Sequence, residues 1–452
     1  MGFGFFFFFF YFFCESSINF GSDTNTSVHS PEPPMTTVLQ PSSCSAPGKL
    51  ILFGEHSVVY GTTAIAASLS SLRIRVNVET NLHHLIIHLE AFSFSCSLNI
   101  DDLMPAANAA TGTTENIERN VVEQLGPVLL KLTKRTHSNV AKSLEALLYL
   151  FVQIVLVPLK SRRPPAGVHI KVESLGLPVG AGLGSSAAFS VAAASALLES
   201  VLGRDSHSSE VVLDGTKVQR PGEERLTSIN EWAFMSETLL HGTPSGLDNT
   251  TSTFGGAIVY VREPKSIRRL ETFPELQLML INTLVPRETS KLVGDVRKLR
   301  EQHPNVVNAV FATMQSVADD VLDGIETWLE REGEEKGEEK THPRINQSSR
   351  HNELCTRMDS LIRINQGLLA SIGVSHPALD AICNVSDKFG YAAKLTGAGG
   401  GGCAFALLGV GDHKVATKEN NLKNELESHA YNFTVQVGVA GGVGVASHGV
   451  KK

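Results

Sequence analysis

Residues 177–188 (LPVGAGLGSSAA) place three alternate glycines directly before two serines. A strand pattern, VHIKVES, leads into this segment, and a helical run of small residues follows it. Glycines allow backbone N–H groups to converge on an anion, and a helix N-terminus adds partial positive charge there. The spacing lacks the Gly-Lys-Ser/Thr ending of a Walker A motif. We interpret the segment as a phosphate-binding loop; a serine-capped helix with glycines for tight packing is the structural alternative.

A second candidate segment is 45–61 (SAPGKLILFGEHSVVYG). Lys49 follows Pro-Gly at the start of an apolar strand, and Glu55 and His56 follow Gly54 in a turn. Together they would place one cation and two polar groups at one edge of a sheet. Each also has a simpler interpretation, because charged residues at strand ends and in turns are mostly exposed to solvent.

Two acidic residues define the third candidate segment, 229–257. Glu237 falls in the last turns of a predicted helix, where the negative end of the helix dipole disfavours an acid. A role as a Mg²⁺ ligand would explain this choice, and so would simple exposure to solvent. Asp248 follows a Gly-containing turn and precedes a Thr/Ser run, so its default role is that of a helix N-cap.

The fourth segment is KLTGAGGGGC at 394–403. Gly397, Gly399 and Gly402 fit the pattern GxGxxG, but the strand-like CAFALL follows them where a dinucleotide site needs a helix. The sequence therefore excludes a dinucleotide fingerprint. It leaves either a second backbone cradle for phosphate or a β-bulged hairpin.

Length and charge restrict what can position these segments. The chain has 452 residues, more than the roughly 250–300 at which single cores stop growing, so we expect two domains with a boundary near 265–270. The net charge of −7 disfavours nucleic acid or an anionic membrane as a bulk partner. Six scattered cysteines without a CxxC pair are typical of a reduced, cytosolic compartment.

The element pattern is mixed, with strands and helices that do not alternate strictly, so an α+β fold is predicted. We expect a strand, turn and strand in 45–60, helix in 117–157 and a polar connection in 203–225. The apolar run at 144–157 is about 14 residues long and ends at a proline, which favours a buried helix over a membrane span.

Two stretches are predicted to lie outside the fold. Residues 1–40 contain the run FGFFFFFFYFF without a preceding Lys or Arg, and we interpret them as a disordered tail or a translation-start artefact, with a secretory signal as the minor alternative. Residues 331–351 are charged and nearly free of apolar side chains, which indicates a solvated insert.

Taken together, the four segments resemble the GHMP kinases, named for galactokinase, homoserine kinase, mevalonate kinase and phosphomevalonate kinase. Within that superfamily APGK, GEH, PSGLDN and VPRET are similar to mevalonate kinases, and the resemblance covers about 44–445. It implies a two-domain GHMP fold, with a ribosomal protein S5 domain 2-like N-terminal domain (41–267) and a ferredoxin-like C-terminal domain (268–452).

The resemblance also implies a role for each matching residue. The catalytic residues would be Asp248 as base and Lys49 at the acceptor hydroxyl and transferring phosphate. The ATP-binding residues would be Lys49, Asn99, Ser174, Gly180, Ala181, Gly182, Leu183, Gly184, Ser185 and Ser186. Mg²⁺ would be held by Ser186 and Glu237. The substrate-binding residues would be Glu55, His56, His241, Arg287 and Thr289. The C-terminal glycine loop would contain Gly397, Gly399 and Gly400.

The implied reaction is Mg²⁺-dependent transfer of phosphate from ATP to the 5-hydroxyl of (R)-mevalonate. The alternatives are another GHMP kinase, such as phosphomevalonate kinase or galactokinase, and a non-catalytic sensor of ATP and ligand. The resemblance further implies a homodimer, inhibition by isoprenoid diphosphates and a cytoplasmic location, with a peroxisomal one as the alternative; neither nucleic acid nor membrane is an expected partner. One departure is Phe189, where related proteins carry Tyr.

Overall fold

The computed structural model describes residues 39–449 apart from 81–83, 135–136, 160–164, 166, 271–272, 338–346, 411–416, 430, 432 and 440–442. Residues 36–452 form one compact unit. The predicted tail at 1–40 therefore lies almost wholly outside the described residues, as does the middle of the predicted insert.

The described strands are β1 Ser42–Phe53, β2 Thr63–Thr80, β3 Leu85–Leu89, β4 Phe94–Leu98, β5 Val168–Leu175, β6 Ser209–Leu213, β7 Thr216–Arg220, β8 Ala257–Val261, β9 Ser266–Leu270, β10 Leu276–Asn282, β11 Ala393–Leu395, β12 Cys403–Val410, β13 Phe433–Val439 and β14 Ala446–Ser447. The described α-helices are α1 Met104–Ala109, α2 Arg119–Thr133, α3 Ser138–Leu150, α4 Ser185–Leu202, α5 Glu223–His241, α6 Leu247–Phe254, α7 Thr289–Gln302, α8 Pro304–Gly337, α9 Gln347–Ser371, α10 Pro377–Lys388 and α11 Thr417–Ser428. Short 3₁₀ helices span Ser57–Tyr60, Glu90–Phe92 and Ile100–Leu103, and a π-helical turn, Phe151–Leu156, extends α3.

One mixed sheet contains all of these strands. Its main path runs β11-β12-β10-β13-β2-β1-β14-β7-β6, and β5 and β8 also pair with the long β2. The pairs are antiparallel except β3 with β5. Strands from both predicted domains join where Val439 of β13 meets Leu69 of β2. The α+β prediction is confirmed, and the division at 267/268 stays a prediction.

Helix α4 is the central helix of the N-terminal half. Every residue from Ala187 to Ser200 is buried, because small side chains let the helix approach β1 and β2 on one side and α5 on the other. This packing fixes the N-terminus of α4 beside Gly48 and Lys49 of β1. A second apolar cluster, which includes Met279, Leu369 and Leu395, lies between the sheet and the C-terminal helices.

Two local predictions are wrong, each for a physical reason. Residues 57–60 form a 3₁₀ turn instead of a strand, because the chain turns at Gly54 and His56, which have φ of 90° and 59°. The predicted polar connection contains the β6–β7 hairpin, whose Asp214-Gly215 turn is a strong hairpin signal. Helices α8 and α9 extend into the predicted insert at 331–351 from both sides.

Two described helical stretches, Ser138–Leu156 and Ser185–Leu202, are long and apolar enough to cross a membrane by length and composition alone. In each stretch, 72% of the apolar 18-residue segment is buried inside the fold. Burial of this kind is typical of core helices, and it accords with the buried helix predicted for 144–157.

Candidate active site

A cavity of about 720 Å³ lies where β1, the start of α4, the end of α5 and the start of α6 meet residues 397–398. Most of the residues singled out from the sequence line it. They are Lys49, Glu55, His56, Ser174, Gly180, Gly182, Gly184, Ser185, Ser186, Glu237, His241, Asp248, Arg287, Thr289 and Gly397. Five do not: Asn99, Ala181, Leu183, Gly399 and Gly400.

The first glycine loop, residues 180–184, leads directly into α4. Gly180, Gly182 and Gly184 all have positive φ, between 70° and 86°. Helix α4 begins at Ser185 with Gly184 as its N-cap, and no side-chain hydrogen bond caps it among the described residues. The serine-capped alternative is therefore wrong. The first N–H groups of the helix stay open to an anion, as the phosphate-loop interpretation requires.

Lys49 and Asp248 form an ion pair at the wall of the cavity. Lys49 Nζ lies 3.0 Å from Asp248 Oδ1, with the lysine side chain 8% exposed and the aspartate 36% exposed. Strand β1 positions the lysine, whose backbone N–H also donates to the Leu183 carbonyl at 2.9 Å. Asp248 is the second residue of α6, after the N-cap Gly246, so its predicted N-cap role is wrong. Its carboxylate faces a cation and the cavity.

Glu237 is buried beside the start of α4. Its Oε2 accepts a hydrogen bond from Ser186 Oγ at 3.4 Å, and its Oε1 accepts one from Ser190 Oγ at 3.2 Å. Burial, assisted by the negative charge of Asp248, raises the pKa of this carboxyl to about 8. The solvent-exposed interpretation of Glu237 is therefore wrong, because the side chain is only 4% exposed.

These oxygens fit a divalent cation. Mg²⁺ takes one or two protein oxygen ligands and completes its shell with water and phosphate oxygens. Ser186 and Glu237 supply one hydroxyl and one carboxylate at the phosphate loop, and a cation would also remove the cost of ionising the buried acid. The described residues contain no cluster of three or more His, Cys, Asp or Glu side chains suited to an all-protein metal site.

His241, in the last turn of α5, completes this group. Its Nε2 lies 3.0 Å from Ser186 Oγ and 3.9 Å from a Glu237 oxygen. Burial lowers the pKa of its imidazole, against the opposing influence of Asp248. His241, which the resemblance assigns to substrate binding, therefore lies beside Ser186 and Glu237, the two candidate Mg²⁺ ligands. The transferring phosphate would be held next to them.

Arg287 occupies the gap between the first glycine loop and residues 397–402. A Cβ on Gly182 would come within 2.0 Å of its Nη1, and a Cβ on Gly402 within 3.1 Å of its Cδ. Burial lowers the pKa of this guanidinium, while Asp248 opposes the shift. With Thr289, the first residue of α7, it offers a cation and a hydroxyl to an anionic substrate group.

Glu55 borders the cavity but its carboxylate does not face it freely. The side chain is fully buried in an ion pair with Lys394, and Asn365 Nδ2 donates to the other carboxylate oxygen at 3.2 Å. Glu55 thus lines the cavity as the resemblance implies, with its carboxylate held in this internal pairing, and its role in substrate binding stays a prediction. His56 does line the cavity, with Nε2 2.8 Å from the Ala398 carbonyl oxygen.

The second glycine loop, residues 397–402, connects the antiparallel strands β11 and β12. Only its first residues, Gly397 and Ala398, border the cavity. A Cβ on Gly399 would lie 2.0 Å from the Val374 carbonyl oxygen, and one on Gly400 would lie 2.7 Å from Leu292. These two glycines therefore serve packing, and the hairpin alternative describes this part of the loop.

The remaining residues predicted to bind the nucleotide fall into two groups, inside and outside the cavity lining. Ser174 lines the cavity and donates from Oγ to the Leu177 carbonyl at 2.6 Å. Asn99 lies outside the lining, where its side chain caps a 3₁₀ helix by accepting from the Asp101 N–H at 3.1 Å. Ala181 and Leu183, inside the first glycine loop, have buried side chains, and the Leu183 carbonyl accepts from the Lys49 N–H.

Sequence reasoning missed several lining residues. Lys142 and Ser143 of α3 and Phe92 of a 3₁₀ helix border the cavity, and no motif marks them. Lys394 lies outside the lining but pairs with Glu55, and its sequence signal is a lysine inside the apolar run YAAKL shortly before the glycines. Phe189, the departure from related sequences, lines the cavity as a buried apolar side chain.

Known protein families match both halves of the chain. The model for the GHMP kinases N terminal domain matches residues 147–256, and the model for the GHMP kinases C terminal domain matches residues 352–432. The first match contains the first glycine loop, Glu237 and Asp248. The second contains Lys394 and the second glycine loop.

Individual relatives match along most of the chain. The mevalonate kinases of Homo sapiens and Mus musculus are each 36% identical, over 81% of this chain and 86% of the relative. That of Arabidopsis thaliana is 33% identical over 87% of this chain and 96% of the relative.

Solved structures agree on the fold. The L. major mevalonate kinase in complex with R-mevalonate superposes with a TM-score of 0.57 at 21% identity, covering 90% of this chain and 98% of that one. The Methanococcus jannaschii mevalonate kinase gives 0.58 at 20% identity, covering 91% and 99%.

Proposed function

The chain belongs to the mevalonate kinase family of GHMP kinases, and we propose that it transfers the γ-phosphoryl group of ATP to the 5-hydroxyl of (R)-mevalonate. The observation that carries this proposal is the Lys49–Asp248 pair, held at 3.0 Å beside the open N-terminus of α4. The pair supplies a base for an alcohol, and the helix supplies a site for phosphate.

Asp248 acts as the general base. Phosphoryl transfer passes through a loose transition state, so catalysis consists mainly of positioning and charge stabilisation. The carboxylate accepts the proton of the 5-hydroxyl as the oxygen attacks. The Lys49 ammonium, 3.0 Å away, stabilises the carboxylate before transfer and the developing negative charge on the oxygen afterwards.

The first glycine loop and the start of α4 hold the phosphates of ATP through backbone N–H groups. Ser186 and Glu237 would hold Mg²⁺ there, and the ion supplies charge neutralisation on the phosphate oxygens. His241 orients the Ser186 hydroxyl at 3.0 Å. Arg287, between the two glycine loops, provides a cation for an anionic group of either substrate.

The test is a coupled ADP-release assay with mevalonate, phosphomevalonate, galactose and homoserine as acceptors. We expect mevalonate to give a kcat/KM at least 100-fold above the others. A preference for phosphomevalonate or galactose would identify another GHMP kinase, and tight ATP binding without turnover of any acceptor would identify a sensor.

Three further properties are proposed from the family resemblance. The chain forms a homodimer, which light scattering tests directly. Isoprenoid diphosphates compete with ATP, since a diphosphate can occupy the same N-terminus of α4 and its apolar tail can contact the apolar wall at Phe92 and Val179. The protein is cytoplasmic, which localisation of the full chain tests.

A further inference from the structure

A lysine and a glutamate pair inside the protein, beside the cavity. Lys394 Nζ donates to Glu55 Oε1, and both side chains are 0% exposed. The same ammonium donates to the Leu395 carbonyl at 2.8 Å, and Asn365 satisfies the second carboxylate oxygen at 3.2 Å. Both oxygens of the buried acid therefore have a donor.

The surroundings of the pair are aromatic. The Lys394 ammonium lies 5.8 Å from the ring centroid of Phe53 and 5.2 Å from that of Phe405, within cation–π range. Burial raises the pKa of Glu55 and lowers the pKa of Lys394, so the interior disfavours both charges and their pairing offsets this. Because apolar residues in such positions often stabilise a protein equally well, stability alone does not explain the pair.

The pair is one of three contacts between residues 394–398 and residues 51–56. Lys394 of β11 and Thr396, which directly follows that strand, contribute side chains, and Ala398 contributes its backbone carbonyl. Thr396 Oγ1 donates to the Ile51 carbonyl at 2.9 Å, and the Ala398 carbonyl lies 2.8 Å from His56 Nε2. The three contacts reach along β1 and into the turn at 54–56.

That turn depends on outside support. Gly54 and His56 both have positive φ, and a left-handed conformation is unfavourable for histidine. Since a carbonyl oxygen can only accept, His56 Nε2 donates to Ala398, and Nδ1 is then the acceptor nitrogen of the neutral ring. His56 and Ala398 both border the cavity that contains the Lys49–Asp248 pair.

We propose that the Glu55–Lys394 ion pair is a positioning device that holds His56 and the second glycine loop in place across the substrate cavity. The proposal rests on the proposed function, because its principal readout is kcat for mevalonate phosphorylation. Glu55 and Lys394 are positioning residues whose side chains are fully buried against each other; they act through His56 and Ala398.

Three variants separate positioning from folding. Lys394→Met removes the ammonium and leaves a buried carboxylate unpaired, which destabilises the protein. The double variant Glu55→Gln/Lys394→Met removes that unpaired charge, so its melting temperature should recover. The double variant still lacks the ion pair that ties Glu55 to β11. Glu199→Gln is the matched control, since Glu199 is also buried and bonded, to Ser447 at 2.9 Å, but lies outside the cavity lining.

We expect the double variant to melt within a few degrees of wild type and still to show kcat reduced at least 10-fold, with KM for both substrates changed less than 3-fold. Glu199→Gln should have a lower melting temperature than wild type and a kcat within 2-fold of wild type. Recovery of kcat together with melting temperature in the double variant would overturn the proposal, as would an equal loss of kcat in the control. If Lys394→Met does not fold, the double variant still decides.

A second readout does not need activity. The N–H groups of Thr396, Gly400 and Gly402 are bonded to backbone carbonyls at 3.1, 2.9 and 3.2 Å, so their hydrogen exchange reports how firmly the loop is held. Exchange at 396–402 should accelerate in the double variant at least 10-fold and stay unchanged in Glu199→Gln. Unchanged exchange in the double variant would contradict the proposal. A wild-type protein that leaves mevalonate unphosphorylated would contradict the proposed function alone.

Discussion

The two glycine loops have nearly the same composition, and the atoms around their glycines differ. At Gly182 an added Cβ would meet the flexible end of Arg287, and the chain then enters a helix with open N–H groups. At Gly399 it would meet the backbone oxygen of Val374, and the chain then enters a strand. Gly182 of the first loop therefore leaves room for a charged side chain, while Gly399 of the second allows close packing of backbone.

The comparison teaches that glycine content alone does not identify a phosphate site. What distinguishes the first loop is the set of groups that converge on it: an ammonium, a guanidinium, a serine hydroxyl and a buried carboxylate. The second loop instead helps to position His56, whose Nε2 contacts the Ala398 carbonyl.

The largest effect is expected at the base beside the first loop. Asp248→Asn keeps the size of the side chain and removes its ability to accept a proton, so kcat should fall about 10²–10⁴-fold. Nucleotide affinity should stay near that of wild type, because the phosphates are held by the loop. Steady-state kinetics and ATP-analogue titration measure the two quantities. Activity within a few-fold of wild type would reduce Asp248 to a structural partner of Lys49.

Much of the site around the first glycine loop could be predicted from the sequence, because its residues lie within short motifs. Lys49, Ser186, Glu237 and Asp248 were identified from the sequence, and the structure brings all four to one cavity. The strand after the second loop and the helix that carries Glu237 were also predicted correctly.

The second region was less predictable, because its contacts join distant parts of the chain. The Glu55–Lys394 pair spans 339 residues, and no local pattern shows that both charges are buried. The place of Asn99 could not be predicted for a related reason: it depends on how the 3₁₀ helix at 100–103 folds, and the role of Asn99 near the nucleotide stays a prediction.

A paired substitution sharpens the comparison. Alanine at Gly182 or Gly399 is strained by about 1–2 kcal/mol in either loop, because both have positive φ. Gly182→Ala should also displace Arg287 and lower kcat/KM about 10–100-fold. Gly399→Ala forces backbone apart at Val374, so it should lower melting temperature further and kcat/KM less. The reverse ranking in kinetics and thermal melting would break the distinction between the loops.

The buried carboxyl of Glu237, beside the first glycine loop, should make the stability of the protein depend on pH. The pKa of Glu237 is raised from 4.5 to about 8, so its contribution to stability is fully present below 4.5 and is lost as pH rises through about 8. Without Mg²⁺, Glu237→Gln should match wild type near pH 4.5 and melt on the order of a few °C higher at pH 8.5. Differential scanning calorimetry across this range measures the effect.

The same variant should need more Mg²⁺ for half-maximal rate, as should Ser186→Ala. Their combination should be less than additive, because both groups serve one ion. A Glu237→Gln protein that melts lower than wild type at every pH, with an unchanged Mg²⁺ titration, would make the glutamate structural.

The smallest effect is expected at Phe189. The side chain is buried at the wall of the cavity on α4, and the family resemblance implies a hydroxyl at this position. Phe189→Tyr should change kcat/KM less than about 3-fold, since the apolar contact is kept and one hydrogen bond is worth roughly 0.5–1.5 kcal/mol. A 10-fold gain measured in the same assay would show that the missing hydroxyl limits this enzyme.

The central claim is that the first glycine loop holds the phosphates of ATP and the second does not. Hydrogen exchange of the whole chain, with and without Mg²⁺ and a non-hydrolysable ATP analogue, tests it directly. We predict that saturating nucleotide slows exchange at residues 180–187 at least 10-fold and changes residues 399–402 less than 2-fold. Strong protection at 399–402 with none at 180–187 would contradict the claim.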